Sequence, residues 1–81
     1  MIYTVGKTSI YEKSLDSNPK LDKLKGGSVW KTINDVEKYL EESNAKGYSI
    51  YGIEADWNKD TYKEDHGFFR SLNRDARIIR L

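Results

Sequence analysis

The residues that could do chemistry crowd into one stretch, EADWNKDTYKEDH, residues 54–66. It holds Glu54, Asp56, Asp60, Glu64, Asp65 and His66, the single histidine of the chain. Paired carboxylates can divide acid and base roles when a pocket raises one pKa. A histidine titrates near neutrality and can act as a base. Acids at alternate positions of a loop can hold a hard cation. Asp56, Asn58 and Asp60 match the first three ligand positions of an EF-hand loop. That loop then needs glycine at its sixth position and glutamate at its twelfth, and here those are Thr61 and Gly67. The turn residue and the bidentate ligand are both missing, so no metal site is expected. Neighbouring acids on a solvated connection also rarely create the pocket that shifts a pKa. The stretch reads as a charged loop that keeps a strand end soluble. A small enzyme with a carboxylate/His site at 54–66 stands as one alternative.

The other patterns point away from catalysis. The chain has no cysteine, which removes disulfides, thiolate metal sites and thiol nucleophiles. It carries no G-x-S-x-G, no P-loop and no G-x-G-x-x-G, and no cofactor is implied. Arg70, Arg74, Arg77 and Arg80 recur at spacings of four, three and three. On one helix they would form a basic stripe. Lys20, Lys23 and Lys25 could extend it, and Tyr3, Tyr11 or Tyr62 could stack on bases. A small nucleic-acid-binding protein using Arg70, Arg74, Arg77 and Arg80 is the second alternative, although a net charge of +1 is far from the usual basic balance.

Charge is segregated along the chain. Residues 1–31 carry six lysines against three acids, residues 32–66 four lysines against nine acids, and residues 67–81 four arginines against one acid. A fold that brings the basic ends together leaves the acidic middle on another face, which suits a protein partner. Trp30, Tyr51, Trp57 and Tyr62 are more aromatic surface than so short a chain buries easily, and Trp and Tyr are favoured interface anchors. With the Asp56–Asp60 loop they form the expected contact set: Trp30, Tyr51, Asp56, Trp57, Asp60 and Tyr62.

These residues need elements to hold them. MIYTV alternates β-formers and reads as a strand, SIYEK as a short second one. Residues 14–27 read as a mobile loop with Asn18–Pro19 as a turn and Gly26–Gly27 as its end, and with Leu21 and Leu24 as one docking turn. SVWKT is a short strand. Thr32 is an N-cap with Asp35 three residues on, and the helix runs from about 33 to 46. Ile33, Val36, Tyr39 and Leu40 make its apolar stripe, Glu42 and Lys46 an i, i+4 pair, and Gly47 its stop. YSIYGIEADW is apolar on both faces, hence a central strand, with Gly52 allowing a close approach. FFRSLNRD is expected as a short helix or turn near 67–73, and ARIIRL as the last strand. The length of the helical connection between SVWK and YSIYGIEA favours a right-handed βαβ unit. The expectation is an α+β fold: one small antiparallel or mixed sheet of about four strands packed on one long helix.

A length of 81 residues makes one small domain, 1–81. An aromatic fraction of 12% argues for a folded chain rather than a disordered one. No apolar run approaches the ~20 residues of a membrane span, so no membrane is expected. The missing cysteines and the absence of a signal-like N-terminus point to the cytoplasm.

GGSVWKTINDVEKYLEE, YSIYGIEADWNKDT and DARIIRL together resemble a family of small bacterial and phage proteins with a GG-x-V-W-x-T…Y-G…A-D-W-x-x-D-T pattern. Gly26, Gly27, Val29, Trp30, Thr32, Tyr51, Gly52, Ala55, Asp56, Trp57, Asp60 and Thr61 carry the resemblance, over residues 26–81. It brings no activity with it and implies a bacterial or phage setting. The function expected is a non-catalytic protein-interaction module, in its sharpest form a phage-encoded modulator or inhibitor of a host or defence protein. If the first and last strands lie at sheet edges, one could pair with a partner or form a homodimer.

Overall fold

The structure is a computed structural model, and it describes residues 1–17, 27–63 and 69–81. Among the described residues, six strands and two helices follow in the order β1 (Ile2–Lys7), α1 (Thr8–Ser17), β2 (Ser28–Val29), α2 (Ile33–Ser43), β3 (Tyr48–Ile53), β4 (Thr61–Lys63), β5 (Arg70–Leu72) and β6 (Ile78–Arg80). They form an α+β fold with two three-stranded antiparallel sheets, β1-β3-β6 and β2-β5-β4. One antiparallel bridge joins the sheets: Tyr3 N donates to Trp30 O at 3.0 Å, and Trp30 N to Tyr3 O at 2.8 Å. The expected single sheet of four strands with one long helix is thus exceeded by two strands and a helix.

The extra helix is α1. Its SIYEK segment is not a strand, because its inward side chains follow a helical spacing. Tyr11 and Leu15 are four apart and pack on the core, while Glu12 and Asp16, also four apart, both reach Arg80. Gly6 makes room for this, because a Cβ there would collide with the Tyr11 ring. Ser14–Ser17 of the segment expected as a loop close this helix, and Leu21, Leu24 and the rest of 18–26 lie outside the described residues.

α2 begins as its sequence dictates and ends sooner. Thr32 is extended (φ −127°, ψ 158°), and its hydroxyl accepts from Asp35 N at 3.2 Å. Asn44, not Gly47, takes the left-handed stop, at φ 51° and ψ 36°. Gly47, at φ 78°, then turns the chain into β3. Of the expected stripe, Val36 is buried and Leu40 half-buried, whereas Ile33 and Tyr39 are exposed.

β3 is the central strand of its sheet, flanked by β1 and β6. No parallel pair occurs among the described residues. β2 and β3 are each antiparallel to β1, so they run the same way with β1 between them, and α2 crosses over that strand rather than closing a βαβ unit of neighbours. Residues 70–72, expected in a short helix, form β5 instead; 67–68 lie outside the described residues.

The register sorts side chains onto two faces. Ile2, Ile53 and Ile78 lie opposite one another, as do Thr4, Tyr51 and Arg80, and this face packs under α1 with Leu15, Val29, Leu72 and Ala76 as the core. Tyr3, Gly52 and Ile79 share the other face, together with Trp30, which pairs with Tyr3 and stacks on Tyr39 of α2. α2 therefore covers the opposite face from α1. The close approach at Gly52 is made by side chains of the two chain ends: an added Cβ would meet Met1 Sδ at 2.6 Å and Leu81 Cδ2 at 3.3 Å.

Candidate functional site

Residues 54–60 of the acidic stretch fold into a clip between β3 and β4, held from outside by Asn73 and Arg74 of the β5–β6 connection. Asp60 N donates to Asp56 O at 3.0 Å, closing one tight turn. Asp56 Oδ2 accepts from Asn58 N at 3.0 Å and Lys59 N at 2.7 Å, as a short acidic side chain does at a turn. Asp60 Oδ2 accepts from Asp56 N at 2.8 Å. The Arg74 fork grips the same carboxylate, Nε to Oδ1 at 3.0 Å and Nη2 to Oδ2 at 3.1 Å. That hydrogen bond, then the Asp56 N–H, hold the Asp60 carboxyl below the usual aspartate range. Arg74 also donates to the carbonyls of Glu54 at 3.3 Å and Asp75 at 2.8 Å, and Asn73 to Lys59 O at 3.2 Å. The first three positions of an EF-hand are thus present in sequence, but the carboxylates of Asp56 and Asp60 are engaged by the protein itself and Asn58 gives its backbone N–H to Asp56. Among the described residues no group of three or more His, Cys, Asp or Glu could hold a metal ion. Glu64, Asp65 and His66 lie outside the described residues.

The four arginines do not form a stripe. Arg70 lies over the Trp57 ring at 4.8 Å. Arg74 holds Asp60, Arg77 sits 3.9 Å from Glu54, and Arg80 binds Glu12 at 2.6 Å and Asp16 at 2.5 Å. They lie on strand β5, a connection and strand β6 and meet different partners, so the helical spacing does not apply.

Tyr51 belongs to the core. It is 2% exposed, its ring stacks on Tyr11 at 5.0 Å, and its hydroxyl donates to Glu12 Oε1 at 3.4 Å. Burial pushes that hydroxyl's pKa up, and the Glu12 charge adds to the effect.

Trp30 and Trp57 meet at another place, a groove of about 520 Å³ between α2 and the β2–β5 pair. The ring of buried Trp30 lies 4.8 Å from Tyr39 and 5.5 Å from Phe69. Trp57 closes the far wall with its backbone anchored: Trp57 O accepts from the Thr61 hydroxyl and from Arg70 Nη1 at 3.4 Å. Asp35, Lys38, Tyr39 and Glu42 face the groove from α2, at i, i+3, i+4 and i+7, and Lys31 lines it as well. Tyr62 lies apart, exposed on β4, but by register on the same side of the sheet as Trp30. Of the expected contact set the groove gathers Trp30 and Trp57, and the clip Asp56 and Asp60. The wall residues Tyr39, Lys38, Asp35 and Glu42 lie outside that set. Tyr39 belongs to the expected apolar stripe of α2, and Asp35, Lys38 and Glu42 form a charged row beside it.

The chain matches no family model, no curated protein and no solved structure.

Proposed function

We propose that the chain is a non-catalytic protein-interaction module and that the groove beside α2 is its contact surface. One observation carries this: four aromatic side chains line a groove walled by two lysines and two acids. Trp and Tyr supply large contact area and are enriched at interface centres. The Trp30 ring packs at a tilt against Tyr39 at 4.8 Å and against Phe69 at 5.5 Å, which leaves no slot between Trp30 and either ring for a planar base or a methylated cation. Along the wall the charges alternate, Lys31, Asp35, Lys38, Glu42. A polyanion would meet two acids there, whereas a polypeptide carrying both signs can answer each position. The carboxylates of the clip are engaged internally, which weighs against the enzyme reading, and the arginines are engaged too, which weighs against the nucleic-acid reading. Service as a phage-encoded modulator of a host or defence protein is the narrower form of the same proposal and rests on the sequence resemblance.

The test compares two tyrosines of like exposure, Tyr39 at 41% inside the groove and Tyr48 at 46% outside it. A protein partner retained from the native host should be lost with Tyr39→Ala and kept with Tyr48→Ala. Retention by both variants would falsify the groove as the contact surface. Asp60→Ala cannot serve here, because it dismantles the clip.

A further inference from the structure

We infer that β6 is a self-pairing edge, through which two copies of this chain join their β1-β3-β6 sheets about a two-fold axis. β6 pairs with β3 on one side, and no described strand covers the other. Glu54 N donates to Arg77 O at 3.0 Å across the β3–β6 pair. Backbone groups alternate sides along an antiparallel strand, so Ile79 also faces β3, while the N–H and C=O groups of Ile78 and Arg80 point outward. A shallow groove of about 230 Å³ follows this edge, lined by Leu15 of α1 and residues 77–80.

The occupant that fits is β6 of a second copy. Isologous pairing needs a self-complementary strand. An antiparallel register with Ile79 opposite its own copy matches Ile78 to Arg80 of the copy and uses every outward group of both strands. Registers shifted by two residues leave part of them unpaired. Side chains agree with this register. Ile79 meets Ile79 on the α2 face, where Met1 and Leu81, 61% and 63% exposed, extend the apolar surface. Natural edges are often blunted by an outward charge. Here the Arg80 guanidinium is turned back onto α1, with Nε 2.6 Å from Glu12 and Nη2 2.5 Å from Asp16, and Arg77 is paired with Glu54. Among the described residues, no unpaired arginine at the edge opposes a second copy.

Amide exchange and sedimentation of the wild-type chain, read against protein concentration, test this without any variant. The expected result is a monomer–dimer equilibrium in which the Ile78 and Arg80 amides gain protection as dimer forms, while Ile79 is protected throughout. Ile79→Lys should weaken the dimer at least about tenfold by setting like charges opposite each other. The chain has no native cysteine, so Ile79→Cys gives a clean geometric readout. Residues opposite at a non-hydrogen-bonded position have Cα atoms about 4.5 Å apart, within disulfide reach. Under oxidised glutathione it should form covalent dimer faster than Asn34→Cys on exposed α2. A chain that sediments as a monomer at every concentration overturns the inference. So does a dimer indifferent to Ile79→Lys, or equal oxidation of the two cysteine variants.

Discussion

In the clip after β3, the carboxylates of Asp56 and Asp60 already hold partners: backbone N–H groups and the Arg74 fork. In the groove beside α2, the rings of Trp30, Tyr39, Phe69 and Trp57 line open space. The clip is reactive by residue type and is spent on its own folding. The groove is core-like by residue type and is left partly uncovered. Short polar side chains near a turn find local backbone donors readily. Large rings on a short helix and two short strands cannot all be covered by an 81-residue chain. Reactive type and available surface are therefore separate properties, and here they part.

The sharpest way to break this comparison is at Trp30, which belongs to both core and groove. Its ring is buried between Tyr39 and Phe69, and its backbone makes the bridge that joins the sheets. Trp30→Ala should cost about 3–5 kcal/mol in chemical denaturation. A loss below about 1 kcal/mol, nearer the scale of a surface change, would mean that the groove floor carries no packing.

Asp60→Asn tests the clip. The variant keeps the shape but loses the charge that Arg74 grips, so its melting temperature should fall below wild type at neutral pH. The sign with pH follows from the lowered carboxyl pKa. Stability from a depressed carboxylate is present above the unfolded-state value and is lost as pH falls through the folded one. The gap between variant and wild type should close below the ordinary aspartate range. A gap constant down to strongly acid pH would show that charge plays no part.

The two regions also differ in how far they were legible. The N-cap at Thr32, the central strand at 48–53 and the last strand at 78–80 follow from local rules that tertiary packing did not overrule. α1 is hidden because Ile10–Tyr11 are β-formers by type, while the i, i+4 pairs Tyr11/Leu15 and Glu12/Asp16 gain meaning only once Arg80 arrives from the far end of the chain. Strands β4 and β5 are three residues each, too short for alternation to register. The same limit hid Phe69. Trp30 and Trp57 stand out by type and Tyr39 sits in the apolar stripe of the helix that follows Trp30, but Phe69 joins them only through the β2–β5 pairing of distant segments.

A smaller effect is expected where clip and groove touch. The Arg70 guanidinium lies 4.8 Å over the Trp57 ring, with Nη1 donating to Trp57 O at 3.4 Å. Arg70→Met keeps much of the stem and removes the charge. It should cost about 1 kcal/mol and change Trp57 emission. An unchanged Trp57 spectrum would mean that the stack is not populated in solution.

A modest effect on stability is predicted for Tyr39→Ala. Removing the ring forfeits an aromatic pair with Trp30, worth about 0.5–1.5 kcal/mol beyond its buried area, and about 1 kcal/mol of apolar burial on a residue 41% exposed. Alanine returns up to roughly 0.5 kcal/mol of helix propensity on α2, so the net change should stay below about 2 kcal/mol, short of a core deletion. The spectroscopic change should be large by contrast. Tyr39 shields one face of the Trp30 ring, so in a Trp57→Phe background Tyr39→Ala should move Trp30 emission to the red as water reaches the indole. A side chain modest in stability that nevertheless controls the hydration of a buried ring belongs to a surface, not to a core. An unshifted emission with a stability loss of several kcal/mol, on the scale of a core deletion, would return Tyr39 to the core and erase the difference between groove and packing.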